Sequence, residues 1–210
     1  MAGDVKRMHE PLPFKPMAAD AASDPSVSVF TPLGVLVFSI HRRRAPVTAA
    51  NFIAYAKASA NLRNGVYRIV TVANQANRDA PQIEVVQFGW IPAFSGEAPP
   101  VPPVAHESTL ATGIRHRHGT LSLARAGAGT GTCAYFVCRG DQPALDHGGT
   151  RQPDGLGFAA FGQLVAGENV LAALFGNAQD TEVLEPIIGI DGITVEDPAI
   201  ADEAPARSSR

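Results

Sequence analysis

Several short clusters in this sequence have side-chain types and spacings that chemistry can use. Arg115-His116-Arg117-His118 offers two imidazoles, but the flanking guanidinium groups repel a cation and no Cys or carboxylate cluster adjoins them. Asp146-His147 supplies two thirds of a hydrolase triad, yet no Gly-x-Ser-x-Gly elbow accompanies it, and sequence neighbours rarely form such a triad. Gly127 to Thr132 (GAGTGT) lacks the Gly-Lys-Ser/Thr ending of a phosphate loop and reads as a surface loop. Arg42-Arg43-Arg44 precedes a helix and reads as a solvated turn, and His106-Glu107 reads as a structural hydrogen-bonding pair. Taken alone, Arg68 in VYRIV reads as a solvated or ion-paired strand residue, and Phe136 and Leu145 read as ordinary core.

The elements that would position these residues are mostly short strands. SVSVF and GVLVFSI flank Thr31-Pro32-Leu33 and predict a hairpin at 27–40. In APVTAANFIAYAKAS, Pro46 suits a helix start and Thr48 can cap it, while Phe52, Ile53 and Ala56 form an apolar stripe over 47–58. Strand-like runs follow at VYRIV, IEVVQF, GTLSLA, AYFVC and FAAFGQLV. A second helix is expected over 167–176, with Val170, Leu171, Leu174 and Phe175 on one face, before IIGIDGITVE closes the domain as strand. Many strands and two helices point to a barrel whose open ends the helices cover.

Composition sets the outer bounds. A chain of 210 residues with 45% hydrophobic content suits one globular domain. A formal charge of -3 gives no basic field for nucleic acid, and no apolar run is long enough for a membrane helix. Cys133 and Cys138 lie five apart in one run, so on a strand they point to opposite faces and read as small buried side chains, not a disulfide. Residues 1–26 read as an extended Pro-containing arm, 27–197 as the domain and 198–210 as a loose tail. The two tails are candidate contacts for a partner protein. Without an apolar leader the chain reads as cytoplasmic, or as periplasmic if it is a mature form.

The informative pattern is an ordered series: APVTAANFIAYA, VYRIV, VVQFG, GTLSLARAGAGTGTCAYFV, ALDHGG and FAAFGQLVAGENVL. In that order and register it resembles the cyclophilin-type peptidyl-prolyl isomerases over residues 27 to about 196. It is most similar to a bacterial subgroup with an extra loop after the catalytic strand, here Thr71 to Gln82, whose members are often exported. The resemblance implies a closed antiparallel eight-stranded barrel capped by two helices. It also implies an enzyme that needs no cofactor and acts on proline-containing segments of proteins.

The implied roles follow position by position. Arg68 matches the catalytic arginine, and Gln87 the glutamine that helps hold both the arginine and the substrate backbone. Val85, Phe136, Leu145 and Phe158 match the proline pocket, and Ala124-Arg125-Ala126 the segment whose backbone pairs with substrate. Four departures stand out: Ala134 where the family has Gln, Ala144 for Trp, Tyr67 for His, and Glu84 where many members have Phe. Losing these partners while keeping Arg68, Gln87, Phe136 and Leu145 implies weaker or altered catalysis. The alternative of another class is a binding module that holds proline-containing peptides or docks in an assembly, with turnover incidental. A hydrolase built on Asp146-His147 is the remotest reading.

Overall fold

A computed structural model describes residues 24–91 and 98–198. Most of the expected arm and tail therefore lies outside the described residues. The first hairpin is β1 (Ser26–Thr31) and β2 (Gly34–Ile40), in register from Ser26 opposite Ser39 to Thr31 opposite Gly34. The Thr31 hydroxyl donates to the Gly34 carbonyl at 2.8 Å and accepts from Leu33 N–H, which closes the turn. Alternation then buries Val27 and Val29 of β1 against Leu36, Phe38 and Ile40 of β2.

Helix α1 (Pro46–Ala58) follows, then β3 (Asn64–Val70), β4 (Val85–Trp90) and the one-turn helix α2 (Thr109–Thr112). After it come β5 (Thr120–Leu123), β6 (Ala134–Cys138), β7 (Ala159–Ala166), α3 (Glu168–Phe175), β8 (Val183–Gly189) and β9 (Gly192–Glu196). All the pairings are antiparallel, in the order β8-β3-β4-β6-β5-β7-β2-β1-β9. The strands at the two ends of that order are consecutive in the chain. Between them, Ile190 N–H bonds to the Asn64 carbonyl of β3 and Asp191 N–H to the Phe30 carbonyl of β1. One segment thus closes the barrel by passing from one edge to the other. The expected eighth strand is divided at this kink, which gives nine strands among the described residues.

Two differences from the sequence expectation concern the helices. The described residues contain three α-helices, the third being α2, whose Ser108 hydroxyl caps it. Thr48 does not cap α1, because the helix already begins at Pro46. The cap comes from Glu107 instead. Its carboxylate accepts from Val47 N–H at 3.1 Å, Thr48 N–H at 2.7 Å and the Thr48 hydroxyl at 2.7 Å. A carboxylate there also suits the positive end of the helix dipole. The neighbouring His106 donates from Nε2 to the Leu156 carbonyl at 3.1 Å, so both members of the pair are structural.

The barrel interior is apolar and aromatic. Phe52 of α1 meets Tyr135 edge-on at 4.6 Å and Phe161 at 5.3 Å, and Tyr55 lies 5.2 Å from Tyr135. The buried hydroxyls are satisfied: Tyr135 donates to Asn51 Oδ1 and Tyr55 to Asn64 Oδ1. Val170, Leu171, Leu174 and Phe175 of α3 are buried, as their spacing predicts. Both cysteines are free and buried. Among the described residues, no helix is long and apolar enough to cross a membrane.

Candidate active site

A second, smaller apolar cluster lies apart from the interior. It gathers Val70, Ile83, Val85, Phe136, Cys138 and Leu145, with Ala124, Ala144 and Phe158 packed on it. Val70, Val85, Phe136 and Cys138 come from the outward face of β3, β4 and β6, and the others from the segments that flank these strands. The register pairs Arg68 with Gln87 and Gln87 with Phe136, so the three lie in one row across the sheet. A bulge between Val66 and Arg68 makes this possible. Val66 and Ile69 both face the interior, and the extra residue between them turns Arg68 outward.

The groove over this cluster has a volume of about 500 Å³. Arg68, Val85, Gln87, Phe136, Leu145, Phe158 and Ala124-Arg125-Ala126, all expected from the sequence, line it together. Arg68 is held on two sides. Its Nη1 donates to Gln87 Oε1 at 2.9 Å and its Nε to Glu182 Oε2 at 3.0 Å, while Nη2 also donates to Glu182 Oε2. These bonds engage three of the five guanidinium N–H groups and leave two for another acceptor. Burial opposes ionisation of Glu182, but bonds from Arg68 and the Ala76 N–H outweigh it and hold its carboxyl below the usual range. Gln87 in turn donates from Nε2 to the Tyr67 hydroxyl at 3.0 Å. Tyr67, at the position of the expected histidine, thus fixes the amide orientation of Gln87.

The pocket walls are equally constrained. Phe158 stands perpendicular to Phe136 at 5.4 Å, and its N–H bonds to the Leu145 carbonyl at 2.9 Å. Leu145 sits on the short 3-10 turn Pro143–Leu145. Gly157 lets the following loop lie against that turn: at φ +68°, its Cβ would stand 2.5 Å from the Leu145 carbonyl oxygen. The buried Arg125 side chain clamps this loop by bonding to the Gly157 carbonyl and forking onto both oxygens of Asp154. Those bonds pull the Asp154 carboxyl down to about 2.

Below the floor, His116 stacks on Phe136 at 5.9 Å. Its Nδ1 bonds to Asp146 Oδ1 at 2.9 Å, and its Nε2 to the Ser122 hydroxyl at 2.9 Å. Asp146 therefore pairs with His116, and His147 is not its partner; His147 donates its backbone N–H to Thr109 instead. The resulting Ser-His-Asp chain is sealed, with Ser122 at 0% and His116 at 1% exposure. No substrate carbonyl reaches that hydroxyl, so the chain braces the floor and the hydrolase reading has no site. The flanking Arg115 bonds to Asp146, and among the described residues no group of three or more His, Cys, Asp and Glu could hold a metal ion.

Sequence reasoning missed several residues in the groove or bracing it. Glu84 does not line it; Ile83 does, lying two residues from Val85 on the same face, while Glu84 faces Arg139 at 4.0 Å. Alternation from Val85 would have found Ile83. Glu182 has no such signal, since it meets Arg68 from 114 residues away. Arg151 also lines the groove, from the stretch between ALDHGG and FAAFGQLVAGENVL.

The comparisons with known proteins bear on the family and the fold. The model of the family described as cyclophilin type peptidyl-prolyl cis-trans isomerase/CLD matches residues 26–195. A Dickeya dadantii protein named peptidyl-prolyl cis-trans isomerase A is 30% identical over 158 residues, which is 75% of this chain and 74% of that protein. A Streptomyces antibioticus peptidyl-prolyl cis-trans isomerase is 26% identical over 152 residues, covering 72% of this chain and 83% of its own length. In fold, the chain is similar to a Cryptosporidium parvum cyclophilin type isomerase, solved in the presence of the dipeptide Ala-Pro. The TM-score is 0.63 at 18% identity, over 82% of this chain and 99% of that one.

Proposed function

This chain belongs to the cyclophilin-type peptidyl-prolyl cis-trans isomerase family, and on that premise we propose that its X-Pro isomerase activity resides in the groove between Arg68 and Phe136. Isomerases of this class interconvert the cis and trans forms of X-Pro bonds in proline-containing segments. The barrier is about 18–20 kcal/mol and arises from amide resonance. In the twisted state the imide nitrogen regains its lone pair. A fixed donor that meets the twisted amide better than the planar one therefore accelerates the reaction, with no nucleophile and no cofactor step.

The observation that carries the assignment is the bracing of Arg68 beside an apolar floor. Gln87 and Glu182 hold the guanidinium and leave two N–H groups to meet the amide. Phe136, Leu145, Phe158 and Val85 offer the proline ring an apolar seat next to it. In this reading Ala124-Arg125-Ala126 lies alongside the substrate backbone. The Arg125 carbonyl already accepts from Gln152 Nε2 at 3.2 Å and keeps a second lone pair for a peptide N–H.

The test is turnover and affinity on one X-Pro peptide, by NMR exchange and titration, for wild type, Arg68→Ala and Phe136→Ala. Arg68→Ala should lose about 2.7–4 kcal/mol of transition-state stabilisation, roughly a hundred- to a thousandfold in rate. Its affinity should change much less, because the pocket remains. Phe136→Ala should weaken binding instead. An Arg68→Ala variant as fast as wild type removes Arg68 from catalysis. Binding without acceleration by either protein makes the groove a peptide holder.

A further inference from the structure

The groove lining contains three guanidinium groups, Arg68, Arg125 and Arg151, and no Asp, Glu or Lys. That is a local excess of positive charge in a chain whose formal charge is -3. The three arginines are not equivalent. Arg125 is neutralised by Asp154 and buried, and Arg68 is neutralised by Glu182. Arg151 has neutral acceptors only: its Nη1 donates to Gln75 Oε1 at 3.1 Å and to the Pro81 carbonyl at 3.0 Å. Its Nε and Nη2 have no acceptor among the described residues, and Glu182 attracts it only from beyond ion-pair distance.

Arg151 is also held in place. Its backbone N–H bonds to the Ala144 carbonyl, so it leaves the chain where the family's tryptophan position has become alanine. Its anchor Gln75 is itself buried and fixed by Thr71, Gln82 and Ile83. Burial and the nearby charge of Arg68 both press on the Arg151 proton, yet a guanidinium keeps its charge under such pressure. A half-buried, preorganised fork with spare donors is suited to an incoming carboxylate.

We propose that Arg151 makes the groove select proline-containing segments that carry an Asp or Glu side chain within two residues of the proline. The proposal rests on the groove being the peptide site. A carboxylate there would meet the spare donors of Arg151, the one groove guanidinium with only neutral acceptors among the described residues. A neutral side chain would form no such pair, and a basic one would be repelled.

The experiment uses full-length chain and peptide pairs identical except for Glu or Gln at one of the two positions on either side of the proline. Both turnover by NMR exchange and Kd by titration are measured at low salt. At one or more positions the Glu peptide should be preferred about threefold to fivefold, the size of a favourable, partly exposed charge pair. The preference should shrink toward unity at high salt. Arg151→Gln should abolish it, and Arg151→Lys, which keeps the charge, should retain most of it. A wild-type ratio within about twofold of unity at every position overturns the proposal. So does a preference that survives in Arg151→Gln, or a Lys variant as indifferent as the Gln variant, which would assign the effect to the strut alone. Because Kd is read separately, an Arg151-dependent preference in binding without any turnover sustains this proposal and removes the catalytic one.

Discussion

The two faces of β3, β4 and β6 use the same backbone for opposite ends. On the inner face, Val66, Ile69, Val86, Phe88, Tyr135 and Val137 join one continuous core. Apolar surface there is matched by apolar surface, and the Tyr135 hydroxyl has a partner in Asn51. On the outer face, Val85 and Phe136 keep an apolar patch against a 500 Å³ groove, beside an arginine with spare donors. Among the described residues the inner face is closed over by packing. The outer face is held still yet stays incomplete, and a site that stabilises a passing geometry needs both properties. The bulge at Tyr67 separates the two roles by letting one strand serve both faces with altered parity.

The sharpest way to break this comparison is to cut each face in turn. Phe52→Ala removes a fully buried ring that touches Tyr55, Tyr135 and Phe161. It should lose about 3–5 kcal/mol of stability in urea unfolding, with turnover per folded molecule retained. Arg68→Ala should do the reverse, losing the rate factor given above while unfolding at a urea concentration closer to wild type. If the groove variant proves the less stable, the division between the faces fails.

A smaller effect sharpens the same contrast at the barrel's end. Glu107→Ala leaves Val47 and Thr48 N–H without their carboxylate. The expected cost is about 1–2 kcal/mol, at the upper end for a helix cap because one carboxylate holds three donors. Thermal unfolding would register it as a lowered Tm. An unchanged Tm would mean that water replaces the carboxylate fully.

What the sequence revealed and what it hid divide along physical lines. The hairpin at Thr31, the α3 stripe and the outward pairing of Val85 with Gln87 follow from local periodicity, which a single sequence displays. The groove itself was legible only because six phrases resembled a known family in order, since Arg68 and Phe136 carry no signal of their own. Contacts between distant segments stayed hidden. Glu182 on Arg68, Glu107 on α1 and Asp146 on His116 span 114, 59 and 30 residues, and no local rule selects such partners. The split of the last strand was hidden too, because it depends on which edges Ile190 and Asp191 reach.

The smallest predicted effect concerns the sealed chain under the pocket floor. Burial makes the His116 imidazolium unfavourable and lowers its pKa below the ordinary 6.5, although the hydrogen bond and charge of Asp146 act the other way. The neutral ring fits the observed bonds: Nδ1–H donates to Asp146 and Nε2 accepts from the Ser122 hydroxyl. In the unfolded chain the same histidine titrates near 6.5, so on acidification the unfolded state takes up a proton first. Stability then rises with pH wherever the unfolded state binds more protons. The contribution of His116 is full above about pH 7 and is lost as pH falls through 6.5 toward its folded value. The Asp146 carboxyl is also depressed: burial opposes this, but the bonds from His116 and Arg115 prevail, so its contribution is lost only at more acidic pH. Urea unfolding at a series of pH values from 7.5 to 5.5 should show wild type losing stability, and His116→Gln losing less over the same range. Parallel curves for the two proteins would show that His116 does not titrate differently on folding, and the sealed chain would then contribute packing alone.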